Sequence, residues 1–183
     1  MNFIETALGG VFIIEPRVFT DERGYFFESY SKAAFEAAGL FYDFVQDNQS
    51  KSCYGTVRGL HFQKGEHAQA KLVRVLEGAV LDVAVDLRRS SPTYGRHVAV
   101  ELSAENNRQL MIPRGFAHGF SVLTQTAVFA YKCDNLYCKE SEGGIRFDDP
   151  TLAIDWRIDM TKALTSEKDK LHPYFAEFKT CFS

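Results

Sequence analysis

The sequence has no surplus of basic residues and no long run of apolar ones. Its 183 residues include 21 Lys and Arg against 24 Asp and Glu, a formal net charge of −3. A nucleic-acid-binding protein usually needs a basic surplus to neutralise phosphates, so that class is not expected. No stretch approaches the ~18 apolar residues of a membrane-spanning helix. The start, MNFIETALGG, also lacks the basic and apolar segments of a secretory signal.

Cysteine is scarce and unpaired in the sequence. The four residues Cys53, Cys133, Cys138 and Cys181 form no CxxC pair. This pattern predicts structural or incidental thiols in a reducing compartment, and therefore a cytoplasmic protein.

Short strand signals dominate the chain, and 16 Phe and 8 Tyr favour sheet. Strands are predicted at residues 11–16, 24–30, 97–103, 109–113, 117–124 and 126–133, with two more within 71–89, joined by a tight turn at Glu77-Gly78. A helix is predicted at residues 31–40, capped by Ser31 and ended by Gly39, and another begins near Ser166. The pattern predicts an all-β, cupin-type jelly-roll sandwich with a few short helices, one near the C-terminus, as a single domain over residues 1–183.

An unusual number of polar side chains lies within residues 56–74, TVRGLHFQKGEHAQAKLVR, which otherwise resemble core strands. One interpretation is a metal site. PRGFAH at 113–118 fits the Pro-x-Gly-x-x-His motif of cupins, and His61-Phe62-Gln63 stands where metal-binding cupins carry His-x-His. Gln63 cannot supply an imidazole, so His61 and His118 leave the ligand set short unless His67 or Glu66 contributes. The resemblance of PRGFAH to the cupin motif therefore supports the fold, and Gln63 weakens the metal hypothesis.

The other interpretation is an anion site beside a base. Arg58 offers the planar fork that suits phosphate, and Lys71 and Arg74 follow it in sequence. Strict alternation along a strand would direct Arg58 and His61 to opposite faces, but a bulge at Gly59 could bring both to one side. Spacing alone favours the interpretation that Arg58 and Lys71 are ordinary surface charges.

Many segments in order resemble the dTDP-4-dehydrorhamnose 3,5-epimerases, from about Phe12 to Asp169. They are DERGYFFESY, FVQDNQSKS, RGLHFQ, AQAKLVRV, DVAVDLRRSSPTYG, VELSAENNRQLMIPRGFAHGF and YKCDNLYCKESEGGIRFDDP. The resemblance implies a jelly-roll homodimer that uses neither metal nor cofactor. It also implies a substrate in which a thymidine diphosphate bears a 4-keto-6-deoxy sugar, inverted at C3 and C5 through an enolate.

The resemblance assigns four catalytic roles. His61 matches the base, and histidine titrates near neutral pH. Asp169 matches the carboxylate that orients it, although Ser166-x-x-Asp169 also fits a helix capping box. Tyr131 matches the acid, although a strand tyrosine is more often a packed aromatic. Lys71 matches the cation beside the ketone oxygen.

The resemblance also implies a substrate-binding set, in which Lys71 is included. Arg23 and Arg58 would pair with the diphosphate, Gln46 and Asn48 would contact the pyrimidine or ribose, and Phe26 or Tyr137 would stack on the base. His118 would lie near the keto sugar or phosphate. The remaining members are Glu28, Asp47, Glu142 and Lys168. In such dimers the 23–28 segment often reaches into the partner's site.

Two departures from the family pattern bear on the substrate. Ala70 stands where glycine is common, and Cys133 and Cys138 occur in a loop that usually lacks cysteine. Both could shift the segment that holds Tyr131 and Tyr137. The alternatives are an epimerase acting at C3 alone or on another nucleotide sugar, a metal-dependent cupin, and a non-catalytic sugar-nucleotide-binding module.

Overall fold

A computed structural model describes all 183 residues of the chain. The elements in chain order are β1 (Asn2–Glu5), β2 (Phe12–Glu15), β3 (Phe19–Asp21), β4 (Gly24–Phe26), α1 (Lys32–Ala37), β5 (Gln46–Cys53), β6 (Val57–Gln63), β7 (Lys71–Glu77), β8 (Ala79–Asp86), β9 (His97–Ser103), β10 (Gln109–Ile112), β11 (Phe116–Val122), β12 (Thr126–Cys133), β13 (Glu142–Gly144) and α2 (Glu167–Lys170). None of these helices is long and apolar enough to cross a membrane.

Two antiparallel sheets form a sandwich. The six-stranded sheet has the order β1-β2-β10-β7-β12-β5, and the five-stranded sheet has the order β13-β6-β11-β8-β9. Their inner faces share one apolar core, in which Val73 and Leu110 of the first sheet join Val80 and Leu102 of the second. The predicted all-β sandwich is confirmed.

The outer faces of both sheets are also covered, which buries the central strands on both sides. The segment that contains Ile145, Leu152 and Trp156 packs on the outer face of the five-stranded sheet. Helix α1 packs Phe35 against the outer face of the six-stranded sheet. Strand β8 alternates as predicted, but because both of its faces are buried, Asp82 and Asp86 are buried too.

Both predicted helices are present. The Ser31 hydroxyl accepts a hydrogen bond from the Ala34 N–H at the start of α1, and Gly39 follows its end with φ +79°. The tight turn predicted at Glu77-Gly78 is present, but it does not close a hairpin within one sheet. Strands β7 and β8 belong to different sheets, so the turn at Gly78 passes the chain from one sheet to the other. Turn chemistry and alternation specify a reversal but not which sheet receives the second strand.

The β3–β4 hairpin stands apart from the sandwich. Its two strands pair only with each other, and all their residues are exposed. Tyr25 and Phe26 are 65% and 70% exposed.

Candidate active site

A cleft of about 720 Å³ opens between the two sheets. One wall is formed by β6 and β11 of the five-stranded sheet, and the opposite wall by β5, β7 and β12 of the six-stranded sheet. Residues 163–170 close one side. The lining includes Asn48, Gln49, Ser50, Arg58, His61, Lys71, His118, Phe120, Phe129, Tyr131, Thr165, Ser166, Asp169 and Lys170.

The His61 ring is held by a buried carboxylate. Its Nε2–H donates to Asp169 Oδ1 at 2.6 Å, and the Asp169 side chain is only 4% exposed. Burial favours the neutral acid, but the hydrogen bond and charge of His61, together with donors from Ser166 and Gly59, lower the pKa of Asp169. The carboxylate is therefore ionised, and it fixes the tautomer in which His61 Nδ1 keeps its lone pair.

Gly59 explains how Arg58 and His61 reach the same cleft. Its φ is +133°, and a Cβ there would lie 2.5 Å from Gly119 Cα, so only glycine fits. The register between β6 and β11 shifts between His118 and Phe120, beside this residue. The irregularity breaks strict alternation, as the glycine predicted, and both side chains line the cleft.

Lys71 and Tyr131 face His61 from the other sheet. Lys71 Nζ lies 5.8 Å from the centre of the Tyr131 ring and has no carboxylate within ion-pair distance. Burial lowers the pKa of Lys71, although nearby Cys133, Asp82 and Glu142 oppose this. Burial raises the pKa of Tyr131, which keeps its phenol protonated near neutral pH. The pair offers a poorly hydrated cation and a proton donor.

His118 sits opposite His61 in the β6–β11 ladder and is bound to a second buried carboxylate. Its Nε2–H donates to Asp82 Oδ2 at 2.9 Å. Its ring stacks near Phe129, which in turn stacks on Phe120 with ring centres 4.2 Å apart. These aromatic rings form the apolar base of the cleft, where polar groups of a ligand would be desolvated.

Several other predicted binding residues form a connected network that begins at Asn48 in the cleft lining. Gln46 donates to Asn48 and accepts from the Tyr137 N–H. The Tyr137 hydroxyl donates to Glu142 Oε2 at 2.9 Å, and Glu142 forms an ion pair with Lys168. These five residues thus form one connected network, but only Asn48 lines the main cleft.

Four predicted binding residues lie elsewhere within the single chain. Asp47 is paired with Lys132 and helps to line a second, smaller cleft. Arg23 is paired with Asp21 in the exposed hairpin. Phe26 is in the same hairpin, and Glu28, just after it, is exposed.

One cluster could hold a metal ion, and it differs from the one considered from the sequence. The ligating atoms of His61, Asp169 and His172 all lie within 4.8 Å of one another. His118 is instead engaged by Asp82, and His67 lies beside Glu66 at 3.8 Å. The cupin-like set of His61, His118 and His67 or Glu66 is therefore not assembled. His118 and His67 each have a separate carboxylate neighbour.

Sequence reasoning missed Asp82, Phe120, Phe129 and His172. Asp82 had a visible signal, since it interrupts the apolar run VLDVAVD. The other three had none. The places of Phe120 and Phe129 in the cleft follow from strand pairing, and His172, which lies beside the cleft, is placed by the path of the C-terminal segment.

Comparison with known proteins agrees with this geometry. The family model described as dTDP-4-dehydrorhamnose 3,5-epimerase matches residues 5–177. An enzyme of that name from Methanothermobacter thermautotrophicus is 53% identical over 170 residues, 92% of this chain and 91% of the relative. The crystal structure of the enzyme of that name from Elizabethkingia anophelis has a TM-score of 0.93 and 58% identity, covering 97% of both chains.

A third relative has a ligand in its structure. The dTDP-6-deoxy-D-glucose-3,5-epimerase from Legionella pneumophila, solved in complex with dTDP-4-keto-L-rhamnose, has a TM-score of 0.93 and 48% identity. The match covers 97% of this chain and 94% of that one. With matches of this extent in both sequence and structure, the chain belongs to the dTDP-4-dehydrorhamnose 3,5-epimerase family.

Proposed function

We propose that this protein inverts C3 and C5 of a dTDP-linked 4-keto-6-deoxyhexose, converting dTDP-4-dehydro-6-deoxyglucose to dTDP-4-dehydrorhamnose. Relatives at 53% and 58% identity bear the name of this activity, and the Legionella relative binds dTDP-4-keto-L-rhamnose. These relatives favour double inversion over the alternative of an enzyme acting at C3 alone.

One observation supports this mechanism above the others. The His61–Asp169 pair lies on one wall of the cleft, and Lys71 and Tyr131 lie on the opposing wall. Inversion of a carbon next to a ketone requires a base on one face, an acid on the other and a cation at the ketone oxygen. The cleft offers these groups on two different sheets.

His61 acts as the base that removes the proton. Because Nε2 donates to Asp169, the free Nδ1 lone pair takes the hydrogen from C3 or C5. The ionised Asp169 then stabilises the imidazolium that forms.

Lys71 and Tyr131 complete the reaction. Removal of the hydrogen moves negative charge onto the C4 oxygen, where the Lys71 ammonium stabilises it more strongly than a hydrated lysine could. The Tyr131 hydroxyl then donates a proton to the carbon from the face opposite His61. His61 then releases its proton to water, and the Tyr131 phenolate takes one up. The same cycle at the second carbon completes the double inversion.

The nucleotide occupies the remaining polar surface. Arg58 pairs with the diphosphate, His118 contacts the sugar or phosphate, and Gln46 and Asn48 contact the base or ribose. Asp47, Tyr137, Glu142 and Lys168 border this region.

The protein acts as a homodimer in this proposal. The exposed β3–β4 hairpin supplies Arg23 and Phe26, followed by Glu28, to the cleft of the partner subunit. Its apolar exposure supports such a role, since exposed aromatic patches usually bind a partner.

No metal or redox cofactor takes part, because proton transfer with a cation at the ketone is sufficient. A chelator is expected to leave the rate unchanged or to raise it. All four cysteines carry free thiols, which supports a reducing, cytoplasmic location.

The test separates proton removal from inversion. The substrate is incubated in deuterated water, and NMR follows deuterium at C3 and C5 together with the configuration of each carbon. His61→Ala should lose deuterium uptake at both carbons by about 10²–10⁴-fold, the usual contribution of one general base. Tyr131→Phe should still exchange hydrogen for deuterium, since His61 can return solvent-derived deuterium to the original face, but should invert C5 poorly.

Tyr54→Phe is the matched control, because that tyrosine is exposed and lies outside the cleft. It should behave as wild type. Normal inversion at both carbons in Tyr131→Phe would remove Tyr131 from the mechanism. Wild-type exchange in His61→Ala would remove His61 as the base.

A further inference from the structure

His172 lies beside the catalytic pair, although the proposed reaction does not require it. Its Nε2 is buried and has no hydrogen-bond partner, which is uncommon for a polar atom in a protein interior. This nitrogen is 4.0 Å from Asp169 Oδ1, and the ring centre is 5.7 Å from that of His61. The unpaired nitrogen thus adjoins the hydrogen bond between His61 and Asp169.

The position of the His172 ring is fixed by β13. Gly144 pairs with His61 in the β6–β13 ladder, and the His172 ring packs directly on Gly144. A Cβ at residue 144 would lie 2.4 Å from His172 Nε2, so the absence of a side chain there makes room for the ring. The imidazole is therefore held with its nitrogen near Asp169.

Two imidazoles and a carboxylate are a common ligand set for zinc and similar divalent metals. Bonds of about 2.0–2.2 Å in a tetrahedral site place neighbouring ligand atoms roughly 3.3 Å apart. The separation between His61 and Asp169, 2.6 Å, is shorter than that value. The separation between His172 and Asp169, 4.0 Å, is longer.

We propose that His61, Asp169 and His172 bind a divalent transition-metal ion such as Zn²⁺, and that the bound ion switches the enzyme off. The inhibitory part rests on the proposed function. When the metal takes the Nε2 lone pair of His61, the imidazole proton moves from Nε2 to Nδ1. Nδ1 then carries a hydrogen towards the cleft and can no longer accept one from the sugar.

Cobalt(II) is the probe for the site, because tetrahedral Co²⁺ with imidazole ligands absorbs strongly in the visible. The chelator-treated protein is titrated with Co²⁺ alone, without substrate, and the spectrum is then reversed with Zn²⁺. One equivalent of Co²⁺ should give the tetrahedral bands. His172→Gln should weaken binding by at least about 10–100-fold, since loss of even an outer-shell partner has that effect. If the glutamine variant folds poorly, His172→Phe replaces it, because it keeps a ring against Gly144. It should weaken Co²⁺ binding to the same extent.

The matched control is His67→Gln. His67 lies beside Glu66 outside the cluster, so its loss should leave the Co²⁺ spectrum unchanged. In the exchange assay, Zn²⁺ should inhibit wild type and His67→Gln alike. His172→Gln should keep its basal rate and need at least about 10-fold more Zn²⁺ for the same inhibition.

Two results would overturn the proposal. One is the absence of tetrahedral Co²⁺ bands in the wild-type protein. The other is equal Co²⁺ affinity in wild type and His172→Gln, which would put the metal elsewhere. Because Co²⁺ binding is measured without substrate, failure of the metal site is distinguishable from failure of the epimerase function.

Discussion

Asp169 serves two purposes with different atoms. Its backbone N–H donates to the Ser166 hydroxyl at the start of α2, at 3.1 Å, and its carboxylate accepts from His61. The capping and orienting interpretations of the sequence are therefore compatible. The cap stabilises the short helix that carries the carboxylate, so local structure directly supports the geometry of the catalytic pair.

Asp169→Asn tests the catalytic share of this residue. The asparagine keeps the backbone N–H and the side-chain shape but loses the charge that stabilises the His61 imidazolium. Deuterium uptake should fall by about 10²–10⁴-fold. Ser166→Ala is the partner variant, because it removes the cap and one donor to the carboxylate but leaves the Asp169 charge. It should lower the free energy of unfolding by about 0.5–2 kcal/mol. Full exchange activity in Asp169→Asn would remove the catalytic role and leave only the cap that the backbone N–H makes.

At the scale of elements, the connection from β8 to β9 is organised by one buried carboxylate. Asp86 is fully buried and accepts hydrogen bonds from Arg88 Nε at 2.9 Å, Ser91 Oγ at 2.6 Å and Thr93 Oγ1 at 2.7 Å. Burial opposes its ionisation, but these donors prevail and lower its pKa to about 2. The loop 87–96 is thus tied to the last residue of β8.

The lowered pKa of Asp86 predicts how stability depends on pH. A carboxyl group whose pKa is lower in the folded than in the unfolded state stabilises the fold at pH above the unfolded value of 3.8. That contribution declines as pH falls through 3.8 towards about 2, because the group then protonates in the unfolded chain first. Asp86→Asn should therefore be clearly less stable than wild type at pH 7.

Unfolding in denaturant at a series of pH values measures this effect. The difference in the free energy of unfolding between wild type and Asp86→Asn should shrink as the pH falls from 3.8 towards about 2. Glu105→Gln is the control, since that carboxylate lies in an exposed turn and its charge should contribute little. A difference for Asp86→Asn that does not change with pH would contradict the assignment.

At the scale of the whole molecule, the β3–β4 hairpin is the element that joins neither the sandwich nor the cleft of its own chain. It pairs with no other strand, and its expected ligand-binding residues are absent from the lining of the cleft. A crossing hairpin would make each cleft depend on both subunits.

Complementation between two impaired variants tests this arrangement. Arg23→Ala should weaken the binding of substrate by about 10–100-fold, the value of a hydrogen bond to a charged group. His61→Ala should be inactive. If the hairpin crosses, a mixed dimer contains one intact cleft, in which His61 comes from one subunit and Arg23 from the other.

Random reassortment of equal amounts of the two variants should make about half of the dimers mixed, each with one intact cleft of two. About a quarter of the wild-type activity should then return at low substrate concentration. The two variants are unfolded together, refolded and assayed, with separately refolded samples as controls. Activity no higher than the mean of the separate samples would show that Arg23 serves its own subunit or none.

Local patterns in the chain were enough to predict the class of fold and the polar, basic character of the site. Alternation, turn residues and the capped segment at Ser31 are local signals, and they survive in the structure because each acts over a few residues. Gly59 is the sharpest case, since a single glycine predicted the irregularity that directs Arg58 and His61 into one cleft. The ordered family motifs identified His61, Lys71, Tyr131 and Asp169, all of which line that cleft.

Which distant side chains meet could not be predicted from local patterns and follows from how the chain folds. His61 and Asp169 are 108 residues apart, and no local pattern pairs them. The same holds for the turn at Gly78, where the chain leaves one sheet for the other. It holds too for His172, whose ring packs on Gly144 with Nε2 4.0 Å from Asp169 Oδ1. These outcomes depend on burial shared between distant segments, because the free energy of packing two sheets together is a property of all their contacts.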